Sequence, residues 1–175
     1  MTILIIIAVI VALVLIAAAF SSSKYLIERE VVINEPKQAV FDYVKHICNQ
    51  EHYNKWVMAD LNAKKTLTGT DGTVGFIYAW DSTNKNVGKG EQEITKIEDG
   101  LRIDSEVRFE KPLKNVANSY ISVEALAQNE TKVKFGLSGN LNYGMKLMYM
   151  IFSLKKVLGK DIQTSLLNLK AVVEK

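Results

Sequence analysis

The chain is poor in the residues that cross-link or ligate. One cysteine, Cys48, stands among 175 residues, which excludes an intramolecular disulfide framework. The two histidines, His46 and His52, are too few and too widely spaced around it for a zinc set. They read as surface or helix-end residues, and Cys48 as a small buried or half-buried side chain. No run of Lys or Arg, no zinc-finger pattern and no helix-turn-helix pattern occurs. With a net charge of only +3 and Lys and Glu interspersed, nucleic acid is excluded as a partner. Charge is missing altogether from the first 23 positions.

That uncharged start is also the most informative stretch. Thr2 to Phe20 is apolar without a strong breaker, and Ser21-Ser22-Ser23-Lys24 ends it. At about 1.5 Å per residue it is long enough to cross the hydrocarbon core of a bilayer. A helix apolar all round suits lipid rather than water. The rival reading is a cleaved signal peptide, with Ala17-Ala18-Ala19 as the small-residue site. Against it, no Lys or Arg precedes the run, and the run exceeds a usual signal core. The sequence therefore predicts a single-pass membrane protein: an anchor over 1–23 and one domain over 24–175. Lys24 and Arg29, just after the span, favour a cytoplasmic domain.

The remainder reads as α+β. Tyr25 to Ile33 alternates as a half-buried strand, with Ile27, Val31 and Ile33 on one face. Arg29 has the inward phase, which puts it at a solvated strand end or inside a cavity. Asn34-Glu35-Pro36 predicts a helix start, with Asn34 or Glu35 as cap and Pro36 in the first turn. Val40, Val44 and Ile47 carry an amphipathic helix, and Asn49 to Trp56 a second short one. Leu61 to Leu67 is a weak strand. Val74 to Trp80 is another, with Val74, Phe76, Tyr78 and Trp80 sharing a face. Gly88 to Ile97 follows, with Ile94 and Gln92 facing one way. After Asp99-Gly100, a tight-turn signal, Leu101 to Phe109 alternates with Leu101, Ile103, Val107 and Phe109 inward. Asn118 to Leu126 and Thr131 to Leu137 complete the strands. Such hairpins with one polar face form a sheet whose other face must be covered. Gly144 to Lys175 predicts the cover: one long helix, weak at Gly159, with the stripe Ile162, Leu166, Leu169 and Val173.

The order of these elements, with the stretches V-V-I-N-E-P-K-Q-A-V-F-D-Y-V (31–44), N-K-W (54–56), T-V-G-F-I-Y-A-W (73–80), G-K-G-E-Q-E-I-T-K-I (88–97), T-K-V-K-F-G-L-S-G (131–139) and L-L-N-L-K-A-V-V-E (166–174), resembles the START-like superfamily in its polyketide cyclase/dehydrase and lipid-transport branch. The resemblance covers Tyr25 to the C-terminus. It rests on order and spacing rather than on any one motif. It implies a helix-grip fold, a curved seven-stranded antiparallel sheet wrapped around a long C-terminal helix, with a ligand cavity between them. The family often has an Asp soon after the first helix and a Pro after the Trp. Here Ile47-Cys48 and Val57-Met58 stand near those places.

A cup of that kind is a concave apolar site suited to small molecules. The candidate lining is Trp56, Phe76, Tyr78, Trp80, Val107, Phe109 and Phe135 from the body, with Met148, Phe152 and Leu158 from the helix. Tyr78 and Trp80 each offer an apolar body and a hydrogen-bonding tip, which suits an amphiphile. Each of these residues has a plainer alternative as core. Met145, Met148 and Met150 read as gap-filling core, as a flexible entrance or as a surface against the bilayer. Gly88-Lys89-Gly90 lacks phosphate-loop spacing, Glu91 and Glu93 share a solvent face, and no catalytic or metal set emerges. No cofactor is implied. The expected partner is a small hydrophobic or lipid-like ligand, with the membrane reached through Thr2 to Phe20. The alternatives are an aromatase/cyclase-type or hydrolase enzyme, and a chaperone-associated interaction module with a filled interior.

Overall fold

The computed structural model describes residues 1–151 and 153–175, and within them the side-chain surroundings of all but Val11, Tyr149, Met150 and Ile151. The uncharged start forms helix α1 (Thr2–Phe20), long and apolar enough to cross a membrane. Among its described residues, only Ala18 belongs to the buried set.

Seven antiparallel strands follow: β1 (Lys24–Ile33), β2 (Lys64–Thr68), β3 (Ile77–Asp81), β4 (Lys89–Glu98), β5 (Arg102–Lys111), β6 (Asn115–Ala127) and β7 (Glu130–Asn140). They form one sheet in the order β1-β7-β6-β5-β4-β3-β2. Between β1 and β2 lie α2 (Lys37–Lys45), a 3-10 turn (Ile47–His52) and α3 (Lys55–Met58). After β7 come α4 (Tyr143–Ile151) and α5 (Leu154–Val173). The helix-grip architecture expected from the sequence is present, with α5 lying against β1 and β7.

Alternation drives the sheet. In β5, Ile103, Ser105 and Val107 are buried while Asp104, Glu106 and Arg108 lie on the outer face. Arg108 there binds Glu91, Glu93 and Glu106 at 2.6–2.7 Å, so Glu91 and Glu93 of β4 face away from the cup. Cross-strand opposite charges of this kind suit the solvated face of an antiparallel sheet.

Several expectations are corrected. The strand expected over Val74 to Trp80 starts only at Ile77. Gly75 adopts φ +86°, a left-handed conformation that glycine accepts at no steric cost, and this ends the alternation. Val74 is exposed as a result. Leu101 also is exposed, because it sits in the β4–β5 turn rather than in the strand. Pro36 is the N-cap of α2, without a side-chain cap from Asn34 or Glu35. The C-terminal cover is two helices, not one. The break falls at Ser153, with φ +49°, and not at Gly159. Gly159 lies buried inside α5, where a Cβ would collide with the Arg29 guanidinium. Arg29 thus sits half-buried between β1 and α5, its Nη1 donating to the Glu28 carbonyl at 2.6 Å. It is neither at a solvated strand end nor on the cavity wall.

The register divides the interior along its length. Lys24 pairs with Asn140, Phe109 with Asn115, and Lys89 with both Asp81 and Lys111. These strand ends, with the 82–88 and 112–114 loops and the α1–β1 junction, therefore share one end of the sheet. At the other end, Ile33, Val40, Phe41, Val133, Ile162, Leu166 and Leu169 form a packed core. Burying side chains of this kind contributes roughly 1.5–3 kcal/mol each.

Candidate functional site: a lined cavity between sheet and helices

A cavity of about 400 Å³ lies between the inner face of β3–β7, the α2–α3 segment and the first turns of α4 and α5. This is within the ~300–1,000 Å³ typical of small-molecule sites. Seven of the candidates named from the sequence line it: Trp56, Tyr78, Trp80, Val107, Phe109, Phe135 and Leu158. They converge because inward positions on neighbouring strands fall in register. Tyr78 faces Gln92, and Gln92 faces Val107.

Three candidates do not join them. Phe76, only 1% exposed, is buried in the packed core, because it precedes β3 at the far end of the sheet. Met148 is exposed and lines nothing in the cavity; Met145, one turn earlier, does. The α4 helix packs with α1, and among its described side chains Met145, in the first turn, reaches the cup. Phe152 lies outside the described residues, as does the side chain of Met150.

The aromatic wall is held from behind. Trp56 meets Phe135 edge-on at 6.4 Å, and its Nε1 donates to Asp161 of α5 at 3.2 Å. Asn54 caps α3 by accepting the Trp56 N–H at 3.0 Å, and Lys55 N–H donates to Ser165 Oγ at 2.9 Å. These bonds fix the angle at which the indole enters the cavity. Trp80 packs edge-on to Phe109 at 6.1 Å. Ring pairs in this geometry add about 0.5–1.5 kcal/mol beyond area burial.

Polar groups on the wall are few. Tyr78 Oη donates to Glu51 Oε1 at 3.1 Å, and Lys65 Nζ holds the same oxygen at 2.9 Å. Burial, then the Glu51 charge and hydrogen bond, push the Tyr78 phenol well above its ordinary range, so it stays protonated. Asp60 accepts from Ser82, and Asn54 Nδ2 donates to Gln50 at 2.9 Å. Gln92, Ser105 and Ser119 add to the polar lining, as do Asn86, Lys111, Asn115 and Tyr120.

Sequence reading missed Val44, Ile47, Lys65, Ser105 and Ser119, and offered Met145 only as one alternative, a flexible entrance. The two serines sit at inward positions of recognisable strands, and their phase alone marked them. Ile47 and Lys65 carried no such signal. His46 and His52 lie outside the cup: His46 Nδ1 is 3.6 Å from Asp71, and His52 Nδ1 is 2.9 Å from Tyr43 Oη.

No family model matches the chain, and no curated protein matches its sequence. Solved structures match its fold. Truncated norcoclaurine synthase from Thalictrum flavum aligns at TM-score 0.66 and 10% identity, over 87% of this chain and 95% of that one. A protein from Thermobifida fusca aligns at 0.63 and 13%, over 85% and 92%. Ara h 8.0201 aligns at 0.60 and 13%, over 86% and 97%. The chain has the helix-grip fold of these structures.

Proposed function

We propose that this chain is a membrane-tethered binder or carrier of a small hydrophobic, lipid-like molecule, akin to the lipid-transport branch of the START-like superfamily. The observation that carries this reading is the cavity itself: an apolar hollow of about 400 Å³ ringed by Trp56, Tyr78, Trp80, Phe109 and Phe135. A chaperone-type interaction module would be expected to have a filled interior instead. In this reading α1 is an uncleaved anchor, and residues 24–175 form a domain on the cytoplasmic side. The register supports the tether. The α1–β1 junction lies at the sheet end where Trp80, Lys111 and Leu113 line the cavity. Tyr143 Oη donates to the Leu15 carbonyl at 2.9 Å and Lys146 Nζ to the Ser21 carbonyl at 2.8 Å, so α4 is tied to the membrane-side helix.

The fragment 24–175 is a fair test object, since the main core contains no residue of α1. Native mass spectrometry of this fragment is expected to retain a lipid-like mass. A clean apo mass, together with failure to bind the neutral dye Nile red, would remove the binder reading. Trp80→Ala is expected to weaken Nile red binding about tenfold while leaving the circular dichroism unchanged.

One observation favours an enzyme as the second reading. The Tyr78–Glu51–Lys65 chain places a protonated phenol on the wall of an apolar cavity, with a carboxylate behind it. Norcoclaurine synthase, similar in fold, is by its name an enzyme. Tyr78→Phe separates the two readings. A binder keeps its ligand affinity within a few-fold, whereas an enzyme using the phenol loses turnover.

A further inference from the structure

Across the sheet, one inward row runs Ile94, Ser105, Ser119, Leu137, Ile27. Ser105 and Ser119 are direct cross-strand partners, 5% and 8% exposed, and both line the cavity. Ile103 and Ile121 adjoin them on one side, Val107 and Ala117 on the other. Among the described residues, neither hydroxyl has a hydrogen-bond partner, and neither does the side chain of Gln92 nearby on the same wall. Each hydroxyl is open to the hollow rather than sealed in the sheet, and each can both donate and accept. Two adjacent ones open onto the same hollow. Alanine at both positions would suit the apolar row at least as well, so the sheet does not need them.

We infer that Ser105 and Ser119 form the subsite for a polar group on the ligand, and that this group is a neutral hydroxyl or carbonyl on an otherwise hydrocarbon body. This deepens the binder reading and rests on it. Neutrality follows from the surroundings. The immediate neighbours Ile103, Ile121, Val107 and Ala117 are apolar, Lys65 is engaged by Glu51, Lys111 lines the cavity only at the far end of β5, and the Arg29 guanidinium lies against Gly159 rather than on the cavity wall. An ionised carboxylate at the serine pair would be buried without a counter-charge, which is far more costly than burying a hydroxyl that finds two partners. The ligand class is thus a neutral amphiphile, a long-chain or polycyclic alcohol or ketone, rather than a fatty-acid anion held by its head.

The test uses the full-length chain in non-ionic detergent and a matched set of competitors against Nile red: a linear alcohol, the methyl ketone, the alkane and the fatty acid of equal length. Comparing each competitor between wild type and variant cancels its partitioning into micelles. In Ser105→Ala/Ser119→Ala, affinity for the alcohol and the ketone is expected to fall about tenfold while that for the alkane holds or rises. Ser119→Ala alone should give an intermediate loss and guards against a folding defect in the double variant. Equal changes for alcohol and alkane, or no change for either, would overturn the subsite while leaving the binder reading in place. A fatty acid at pH 9 that binds as well as the alcohol and loses as much on serine removal would overturn the neutral assignment. Failure of wild type to bind Nile red or any competitor would overturn the cavity reading and the subsite with it.

Discussion

Cys48 shows how neighbours set the chemistry of one residue. Asp71 accepts the Ile47 and Cys48 N–H groups at 2.8 and 3.2 Å, starting the 3-10 turn, and so brings its carboxylate beside the thiol. Burial first, then the Asp71 hydrogen bond and charge, push the thiol from 9.0 up to about 11. The neutral form is favoured, so the thiolate present at pH 8 falls about a hundredfold below that of an ordinary cysteine. Alkylation by iodoacetamide should be correspondingly slow, and thiolate absorbance should titrate near pH 11. A midpoint below 9 would contradict the half-buried, Asp71-facing geometry. The linkage sign follows: a raised folded-state value stabilises the fold below about pH 9, and that contribution is lost as pH climbs through about 11.

Among the elements, α5 depends on one close approach. Gly159 lies against the Arg29 guanidinium, where a Cβ has no room. Ordinarily Gly→Ala inside a helix stabilises by about 1 kcal/mol. Here overpacking should reverse the sign, with Gly159→Ala lowering stability by about 1–3 kcal/mol. In an Arg29→Ala background the same change should become stabilising. Thermal melts of the 24–175 fragment, in a double-mutant cycle, report the sign directly. The α4 helix, by contrast, is separated from α5 at Ser153 and packs with α1. This is why Met145 reaches the cavity and Met148 does not.

For the whole molecule, the open question is what holds α1. Its side chains are exposed nearly throughout, an arrangement that water does not favour and a bilayer does. The chain is therefore expected to remain in the membrane fraction after alkaline carbonate washing, and N-terminal sequencing of the mature protein should begin at Met1 or Thr2. Release into the wash, with a new N-terminus after Ala17-Ala18-Ala19, would make 1–19 a signal peptide and remove the tether. The cavity would survive that outcome, since no described residue of α1 lines it.

Much of this molecule was legible in the amino-acid order. Alternation gave the strands, the four-three-four spacing gave the α5 stripe whose Ile162, Leu166 and Leu169 are buried, and inward phase placed Tyr78, Trp80, Val107, Phe109 and Phe135 on one concave face. Those signals are local, because a side chain's face follows from its own strand or helix period. Tertiary structure decided the rest. Phe76 joined the packed core because of its position along the sheet, Gly159 proved to be a seat for Arg29 rather than a hinge, and Ser105 met Ser119 only through pairing across two strands. Distance along the barrel of the cup, contact between remote elements and cross-strand partnership all arise from chain packing, and a residue's own neighbours in sequence carry no record of them.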